Sequence, residues 1–122
     1  GAYDERFFYE DVLAGLRHAH KLAMSTGCSV EFDRTTSGFT LKQDVNCFSA
    51  AAASYTTAVF KPGDSVGYTV GDSTAIWTSA VDPLIFSAEG QVTNTAGTIQ
   101  TATTLTVGGR TITLDGQTGY VR

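Results

Sequence analysis

Acid–base chemistry in this chain would depend on two histidines that share one segment. His18 and His20 are the only histidines, and both lie in a stretch with helical periodicity. A hydrolase also needs a nucleophile and an orienting acid, but the sequence contains no Gly-x-Ser-x-Gly elbow. We therefore interpret both histidines as solvated or boundary residues of a helix, and we expect no enzymatic activity and no cofactor.

The carboxylates form two groups, and neither has the spacing of a known catalytic site. Asp4-Glu5 and Glu10-Asp11 are paired early in the helical segment, where negative charge stabilises the start of a helix. Four other aspartates each adjoin Gly, Ser or Pro, as is typical of turns, and these are Asp64, Asp72, Asp82 and Asp115. A calcium site built from two such loops is an alternative, although no Asp-x-Asp-x-Asp run supports it.

Two cysteines, Cys28 and Cys47, are separated by 19 positions. They cannot supply a four-thiolate zinc site, and at helical spacing the two histidines point to faces about 160° apart, so the four side chains do not readily converge on one metal ion. We predict a disulfide between Cys28 and Cys47, with two free buried thiols as the alternative. Such a bond would contribute about 3 kcal/mol to stability and implies an oxidising compartment.

Binding chemistry has two further candidates in the sequence. The aromatic residues Trp77, Tyr68 and Phe60 could present a sugar-stacking or partner-binding surface, but aromatic residues at alternate strand positions more often belong to a core. Gly108-Gly109 joins two strand-like runs and opens no helix, so it is not a phosphate cradle.

Composition predicts one globular domain. The chain has 122 residues, a net charge of −4, and 16% charged residues, which is low against about 25% in average soluble domains. Only 8 residues are Lys or Arg, which argues against a nucleic-acid partner. No run of 18 apolar residues is present. We interpret residues 1–2 as a remnant of protease cleavage and residues 3–122 as the domain.

The element that must position these residues is an amphipathic helix, predicted over about residues 4–26. One apolar stripe follows the helical period, and it consists of Phe8, Val12, Leu16, Ala19 and Ala23. The opposite flank carries the charges, including Arg6, Glu10, Arg17 and Lys21. Gly27 provides a stop.

Residues 28–122 predict β-structure only. Alternating residues indicate a hairpin over 29–33 and 39–42, with Val30, Phe32, Phe39 and Leu41 facing the helix. Further strands are predicted at 55–60, 66–70, 75–78, 84–87 with a return near 92, 104–107 with 110–114, and 120–122. Residues 44–54 fit a short helix or an irregular loop equally well. The predicted fold is α+β, with one long N-terminal helix packed on two small antiparallel sheets.

Three segments carry a resemblance to a known family. The helix ends in Leu-Arg-His-Ala-His-Lys-Leu-Ala (residues 16–23), followed by Gly27-Cys28 and a strand. Residues 84–90 read Leu-Ile-Phe-Ser-Ala-Glu-Gly and residues 118–122 read Thr-Gly-Tyr-Val-Arg. These segments resemble the periplasmic half of type IV pilins and type II secretion pseudopilins. The first 30 residues are most similar to MshC-like minor pilins of the mannose-sensitive haemagglutinin (MSHA) pilus, and the later segments to the broader GspH/FimT group.

The resemblance implies a type IV pilin-like fold and a subunit of a surface fibre used for attachment by a Gram-negative bacterium. It implies that the helix continues upstream into a hydrophobic half that holds the subunit in the inner membrane before assembly. Its partners would be other major and minor pilins. We expect Arg6, Glu10, Arg17 and Lys21 to contact such neighbours, the protein to prime assembly, and the soluble domain alone to be monomeric.

Three alternatives stay open within this resemblance. The protein could be a minor pseudopilin of a type II secretion system, a tip adhesin, or a FimT-like pilin for DNA uptake. FimT-like pilins close with Gly-Arg-x-Arg, whereas this chain has Tyr120 at the first arginine position. Arg122 and the distant Arg110 provide too little clustered positive charge for strong binding to phosphates. DNA capture is therefore the least supported of the three alternatives.

Overall fold

A single long helix covers two sheets. The computed structural model describes residues 2–35, 37–49, 51–61, 63, 67–70 and 77–122, with side chains from residue 6 onward. Helix α1 spans Ala2–Thr26, two residues earlier than predicted at its start. It ends at the predicted stop, where the Gly27 N–H donates to the Ala23 carbonyl at 3.0 Å. No helix in these ranges is both long and apolar enough to cross a membrane.

The apolar stripe of α1 lies against the sheets. All five residues predicted to form it are at most 3% exposed. Between them, Gly15 approaches the core most closely, since a Cβ atom placed there would lie 2.6 Å from Cε2 of Phe39 and 3.5 Å from Cε2 of Phe32. The helix therefore packs with its backbone, and not a side chain, against the aromatic rings at this turn.

In the described part of the chain nine strands follow the helix, and every pairing among them is antiparallel. They are β1 (Val30–Arg34), β2 (Phe39–Asp44), β3 (Tyr55–Ala58), β4 (Thr69–Val70), β5 (Trp77–Ser79), β6 (Leu84–Phe86), β7 (Val92–Thr93), β8 (Ala102–Val107) and β9 (Arg110–Asp115). The first sheet has the order β3-β2-β1-β6-β7 with β4 also beside β2, and the second has the order β5-β8-β9. The prediction of one helix on two antiparallel sheets is confirmed.

The hairpins follow the alternation in the sequence. In β1 and β2 the register pairs Val30 with Gln43 and Phe32 with Leu41. The four predicted inward residues of this hairpin are each at most 1% exposed. In the second sheet, β8 and β9 flank Gly108-Gly109 as predicted. They bury Leu105, Val107, Ile112 and Leu114 in the same core.

The structure decides or changes some of the predicted segments. Of the two alternatives for residues 44–54, the described part forms the irregular loop, with turns and no helix, because the Asp44 carboxylate accepts hydrogen bonds from the Asn46 and Ser54 N–H groups at 2.8 and 2.9 Å. The final strand at 120–122 is reduced to a single bridge between Val121 and Leu114. The strands predicted at 66–70 and 75–78 lie partly outside the described residues.

Arg34 joins the two sheets at one end of the core. From the end of β1, its Nε and Nη2 atoms donate to the Trp77 carbonyl on β5 at 3.2 and 2.8 Å. Its guanidinium lies 5.3 Å from the centroid of the Trp77 ring. The same ring meets Phe8 edge-on at 5.3 Å. The start of the helix and both sheets therefore meet around Trp77.

We predict that Gly15→Ala destabilises the protein although alanine is the better helix former. Alanine contributes about 1 kcal/mol of helix propensity, but the added Cβ would overlap the buried Phe39 ring, and overpacking costs about 1–3 kcal/mol. Urea unfolding followed by circular dichroism should show a net loss of about 1 kcal/mol. The matched variant Ala14→Ser lies on the exposed side of the helix and should change stability by less than about 0.5 kcal/mol. A stabilised Gly15→Ala protein would contradict the close approach.

Candidate functional site

The two histidines have different surroundings. Within the described ranges, no three His, Cys, Asp or Glu side chains lie close enough together to hold a metal ion. His18 is half-buried and stacks on the Tyr68 ring, with centroids 5.3 Å apart and planes inclined by 30°. Cys28 and Cys47 are joined in the predicted disulfide, with Cα atoms 5.3 Å apart.

The flank near His18 is held by packed charges and rings. Lys61 places its Nζ atom 5.6 Å from the centroid of the Tyr68 ring. Burial raises the pKa of the Asp11 carboxyl, while the positive charge of Lys61 acts to lower it. Burial also raises the pKa of the Tyr68 hydroxyl, and the charge of Asp11 raises it further. These contacts connect the helix to the segment after β3.

For Trp77 and Tyr68 the favoured interpretation as core residues is confirmed, and the alternative of an aromatic binding surface shared with Phe60 is wrong. Trp77 is 2% exposed and Tyr68 is 7% exposed, because the Trp77 ring packs against Phe8 and the Tyr68 ring packs against His18 of α1. Phe60 alone is open to solvent, at 50%. Two buried rings cannot stack on a ligand.

Of the four turn-type aspartates, Asp82 and Asp115 are described, and Asp115 holds a turn whereas Asp82 contacts a distant strand. The Asp82 carboxylate accepts a hydrogen bond from the backbone N–H of Arg34 at 3.1 Å. Asp115 accepts from the N–H groups of Gln117 and Thr118 at 2.9 and 3.2 Å. Asp64 and Asp72, the other two members of the possible calcium loops, lie outside the described residues.

His20 connects three distant parts of the chain. Its Nε2–H donates to the Thr118 carbonyl at 2.8 Å and lies 3.1 Å from the Gly90 carbonyl. Because both acceptors are carbonyl oxygens, the proton must reside on Nε2. The imidazole also meets the Phe86 ring edge-on at 5.9 Å. We call this arrangement of His20, Gly90 and residues 118–119 the His20 clasp.

Two glycines make the clasp possible. Gly90 and Gly119 have φ values of +85° and +72°, which residues with a side chain rarely adopt. A Cβ atom on Gly90 would lie 2.8 Å from Sδ of Met24, and one on Gly119 would overlap the His20 ring and the Gly90 carbonyl. The helix, the β6–β7 turn and the closing segment thus meet with no room for a side chain.

The clasp unites the three segments that carried the family resemblance. Residues 16–23 supply His20, residues 84–90 end at Gly90, and residues 118–122 contain Gly119. The helical pattern indicates a boundary residue at position 20 and does not identify its partners. The two glycines are a visible signal, but the carbonyls that His20 contacts lie 70 and 98 positions away, so their approach depends on the topology of both sheets.

The charged flank of α1 is open to solvent. All four predicted contact residues are exposed, namely Arg6, Glu10, Arg17 and Lys21. Phe7 and Met24 are also about half exposed on this helix, at 53% and 47%. Beside the clasp, a cleft of about 330 Å³ is lined by Arg17, His20, Thr118, Gly119, Tyr120 and Val121. Arg17 and Tyr120 therefore provide a cation and an exposed ring at the rim of one depression.

A second depression lies on the face of the first sheet that is turned away from the helix. It measures about 390 Å³, and its lining includes Ser29, Tyr55, Ile85, Ser87, Glu89 and Thr93. Ile85 and Thr93 are cross-strand partners. Burial raises the pKa of the Tyr55 hydroxyl, the Ser29 hydrogen bond lowers it, and the charges of Asp44 and Glu31 raise it. The surface is a polar groove with an apolar floor.

Negative charge accumulates on the same face. Burial raises the pKa of the Glu31 carboxyl, and the charges of Asp33 and Asp82 raise it further. The pKa of Asp33 is raised by burial first and then by Asp82. A carboxyl whose pKa is raised in the folded state binds its proton more tightly there than in the unfolded chain. Stability therefore decreases as the pH rises through its titration range.

We predict that the His20 clasp is energetically coupled. His20→Ala leaves two carbonyls without their donor and should lower the free energy of unfolding by about 1–3 kcal/mol. Gly119→Ala should cost more than about 1 kcal/mol, because of its positive φ and the overlap with the ring. The double variant should lose less unfolding free energy than the sum of the two single-variant losses. The reason is that the imidazole ring, which the Cβ introduced by Gly119→Ala would overlap, is already absent. Strict additivity in denaturant unfolding would contradict the geometry, and His18→Ala serves as the control for removing an imidazole.

We predict that removing the Glu31 charge stabilises the protein at neutral pH. Glu31→Gln eliminates a carboxylate that is half-buried beside Asp33 and Asp82, so the thermal midpoint at pH 7 should rise. The gain should shrink as the pH falls toward the ordinary carboxyl range, where the wild-type group takes up its proton. Asp33→Asn should act in the same direction. Equal pH dependence in Glu31→Gln and the wild type, measured by scanning calorimetry, would contradict this assignment.

Comparison of the chain with known proteins identifies no relative. No protein-family model matches the chain, and neither the curated proteins nor the solved structures contain a significant match.

Proposed function

We propose that the protein is a minor pilin subunit of a type IV pilus similar to the MSHA pilus, with a structural and assembly-priming role. The observation that carries the proposal is α1 itself, a 25-residue N-terminal helix that lies by one narrow stripe on two antiparallel sheets. The disulfide between Cys28 and Cys47 follows its end directly. The family resemblance supports the proposal because its three segments meet in the His20 clasp.

In this proposal the helix continues upstream into a hydrophobic half that sits in the inner membrane before assembly and in the fibre core afterwards. The periplasmic domain then serves as the head carried on that helix. The His20 clasp, the disulfide and the buried stripe attach the two sheets to the helix along most of α1. A subunit in a fibre needs such a rigid connection because neighbours contact both parts at once.

A minor position in the fibre is supported by the exposed flank of α1. Arg6 lies near one end, Glu10 and Asp11 follow, and Arg17 and Lys21 lie toward the other end. Such a mixed sequence of charges suits specific neighbours better than uniform stacking of identical copies. Its partners would be other major and minor pilins.

A tip adhesin is the second candidate, and the polar groove on the outer face of the first sheet favours it. DNA uptake is disfavoured by the position of Arg110, whose guanidinium lies 5.3 Å from the centroid of the Tyr9 ring. Tyr120 also occupies the position of an arginine in the DNA-binding pilins. The net charge of −4 opposes binding to a polyanion.

Deletion of the gene in the bacterium that makes the protein tests the proposal. We expect electron microscopy to show loss of surface fibres, and quantitative mass spectrometry of sheared wild-type fibres to show a small ratio of this protein to the main pilin. A ratio near one would make it a major subunit. Normal but non-adherent fibres in the deletion strain would instead favour the adhesin.

Sedimentation of the soluble domain provides an independent measurement. The domain should be monomeric at micromolar concentration, because the hydrophobic half-helix that drives association is missing from it. A stable homodimer would contradict the expectation that its neighbours are other proteins. Circular dichroism of the same samples should confirm that the domain is folded.

A further inference from the structure

One long uncharged part of the chain lies largely on the surface. Residues 45–60 contain no charged side chain, between Asp44 and Lys61. Nevertheless most of the described residues in this range are exposed. Phe48 is 86% exposed and Val45 is 57% exposed, and Phe48 is the most open of the large apolar side chains described. Exposed apolar surface of this kind often marks an interaction site.

The loop that presents Phe48 joins β2 to β3 over residues 45–54, and we call it the Phe48 loop; several bonds of its described residues hold it in place. Cys47, its neighbour, is bonded to Cys28 at the end of α1. The Val45 N–H donates to the Ser54 carbonyl at 2.9 Å, and the Asn46 side-chain amide donates to the Ala52 carbonyl at 3.0 Å. Little conformational entropy would be lost when a partner binds to such a loop.

The loop leads into β3, which is the last strand at its edge of the first sheet. Successive backbone N–H groups at the end of β2 point alternately toward β1 and toward β3. The Asp44 N–H donates to Ser29, next to β1, and the Val45 N–H donates to Ser54, next to β3. Gln43 pairs with Thr57 and Lys42 with Ala58. By this alternation, Thr57 bonds to β2 and the N–H and C=O of Ala58 face away from it.

The side chains of β3 provide none of the usual protection against pairing, although the strand is short and its register with β2 shifts between Gln43 and Asp44. Exposed edge strands generally carry a lysine, a proline or an inward charge that prevents another strand from adding. The β3 residues are Tyr55, Thr56, Thr57 and Ala58, which are uncharged and three of which are exposed. Tyrosine and threonine also favour strand structure. Among the described residues, no strand pairs with the outer side of β3.

We propose that β3 and the Phe48 loop together bind an extended, uncharged segment of a neighbouring subunit, which adds to the first sheet as a further strand. The backbone of β3 requires an extended occupant, and the absence of charge over residues 45–60 favours an uncharged one. A four-residue edge provides few hydrogen bonds, so apolar side chains of the occupant must also contact Phe48 and Val45. A second copy of this chain that paired through its own short β3 would not reach both the β3 edge and the Phe48 loop. Naming the occupant as a neighbouring subunit rests on the proposed function.

Site-specific photo-crosslinking in the bacterium that makes the protein tests this inference with the full-length chain. A photo-reactive amino acid is introduced at position 48, at position 58, or at the remote exposed position 111 on β9. We expect one crosslinked polypeptide from positions 48 and 58, identified by mass spectrometry as another pilin through an extended uncharged peptide, and no such product from position 111.

Two edge variants provide a matched comparison for the crosslink from position 48. Ala58→Pro removes an N–H that faces away from β2, so no internal hydrogen bond is lost. Thr111→Pro likewise removes an N–H that faces away from the neighbouring strand β8. The backbone of Thr113, two residues further along β9, bonds to Arg122 on the side away from β8, and Thr111 points its N–H to that same side. We expect Ala58→Pro to reduce the crosslink about fivefold to tenfold and Thr111→Pro to leave it unchanged. If Ala58→Pro fails to fold, Phe48→Ser, which changes an exposed ring, should reduce the crosslink from position 58 instead.

Several outcomes would overturn the inference. They are an adduct between two copies of this chain, an adduct with lipid, equal effects of the two proline variants, or no adduct from 48 and 58 while the protein is present in sheared fibres. Failure of the proposed function is separable from these. If the protein is absent from fibres but positions 48 and 58 still capture one polypeptide through an extended segment, the docking surface stands and the pilin assignment falls.

Discussion

The fold depends on how closely one helix approaches the aromatic rings of the first hairpin. Phe32 and Phe39 stack with centroids 4.6 Å apart, and Gly15 lies directly over them. Ala19 and Ala23 continue this close approach on the next turns and are fully buried. Larger residues would lift the helix off both sheets, because close-packed cores do not absorb added volume. With the helix at this distance, His20 reaches the Gly90 and Thr118 carbonyls, and Phe8 reaches Trp77.

Much of this arrangement could be predicted from local pattern. The stripe on α1, the β1–β2 and β8–β9 hairpins and the disulfide follow from periodicity, turn residues and cysteine count. Each of these signals lies within a few residues or rests on a residue type with few options. The division into two sheets could be expected in the same way, because the strand runs are short and separated by turns.

The parts that could not be predicted depend on contacts between distant segments. Asp44 appears as an ordinary polar residue, yet its carboxylate organises the loop to Ser54 and excludes the short helix considered for those residues. The alternation of Trp77 and Tyr68 with polar residues favours core positions, but it does not identify Phe8 and His18 of the helix as the residues that pack against them. His20 and the β3 edge have no sequence signature of their own, since their roles follow from which strands become neighbours.

Two contacts attach α1 to the sheets, the packing of Phe8 on Trp77 and the His20 clasp. They also determine how the domain would respond to tension. Trp77, held by Arg34, meets Phe8 near one end of the helix, and the clasp holds His20 about 18 Å further along the axis. A pull along the axis therefore loads both attachments and the whole buried stripe in shear, simultaneously. A pull across the axis would instead open them one after the other, as in a zipper. The domain should be mechanically strongest along the direction of its own helix.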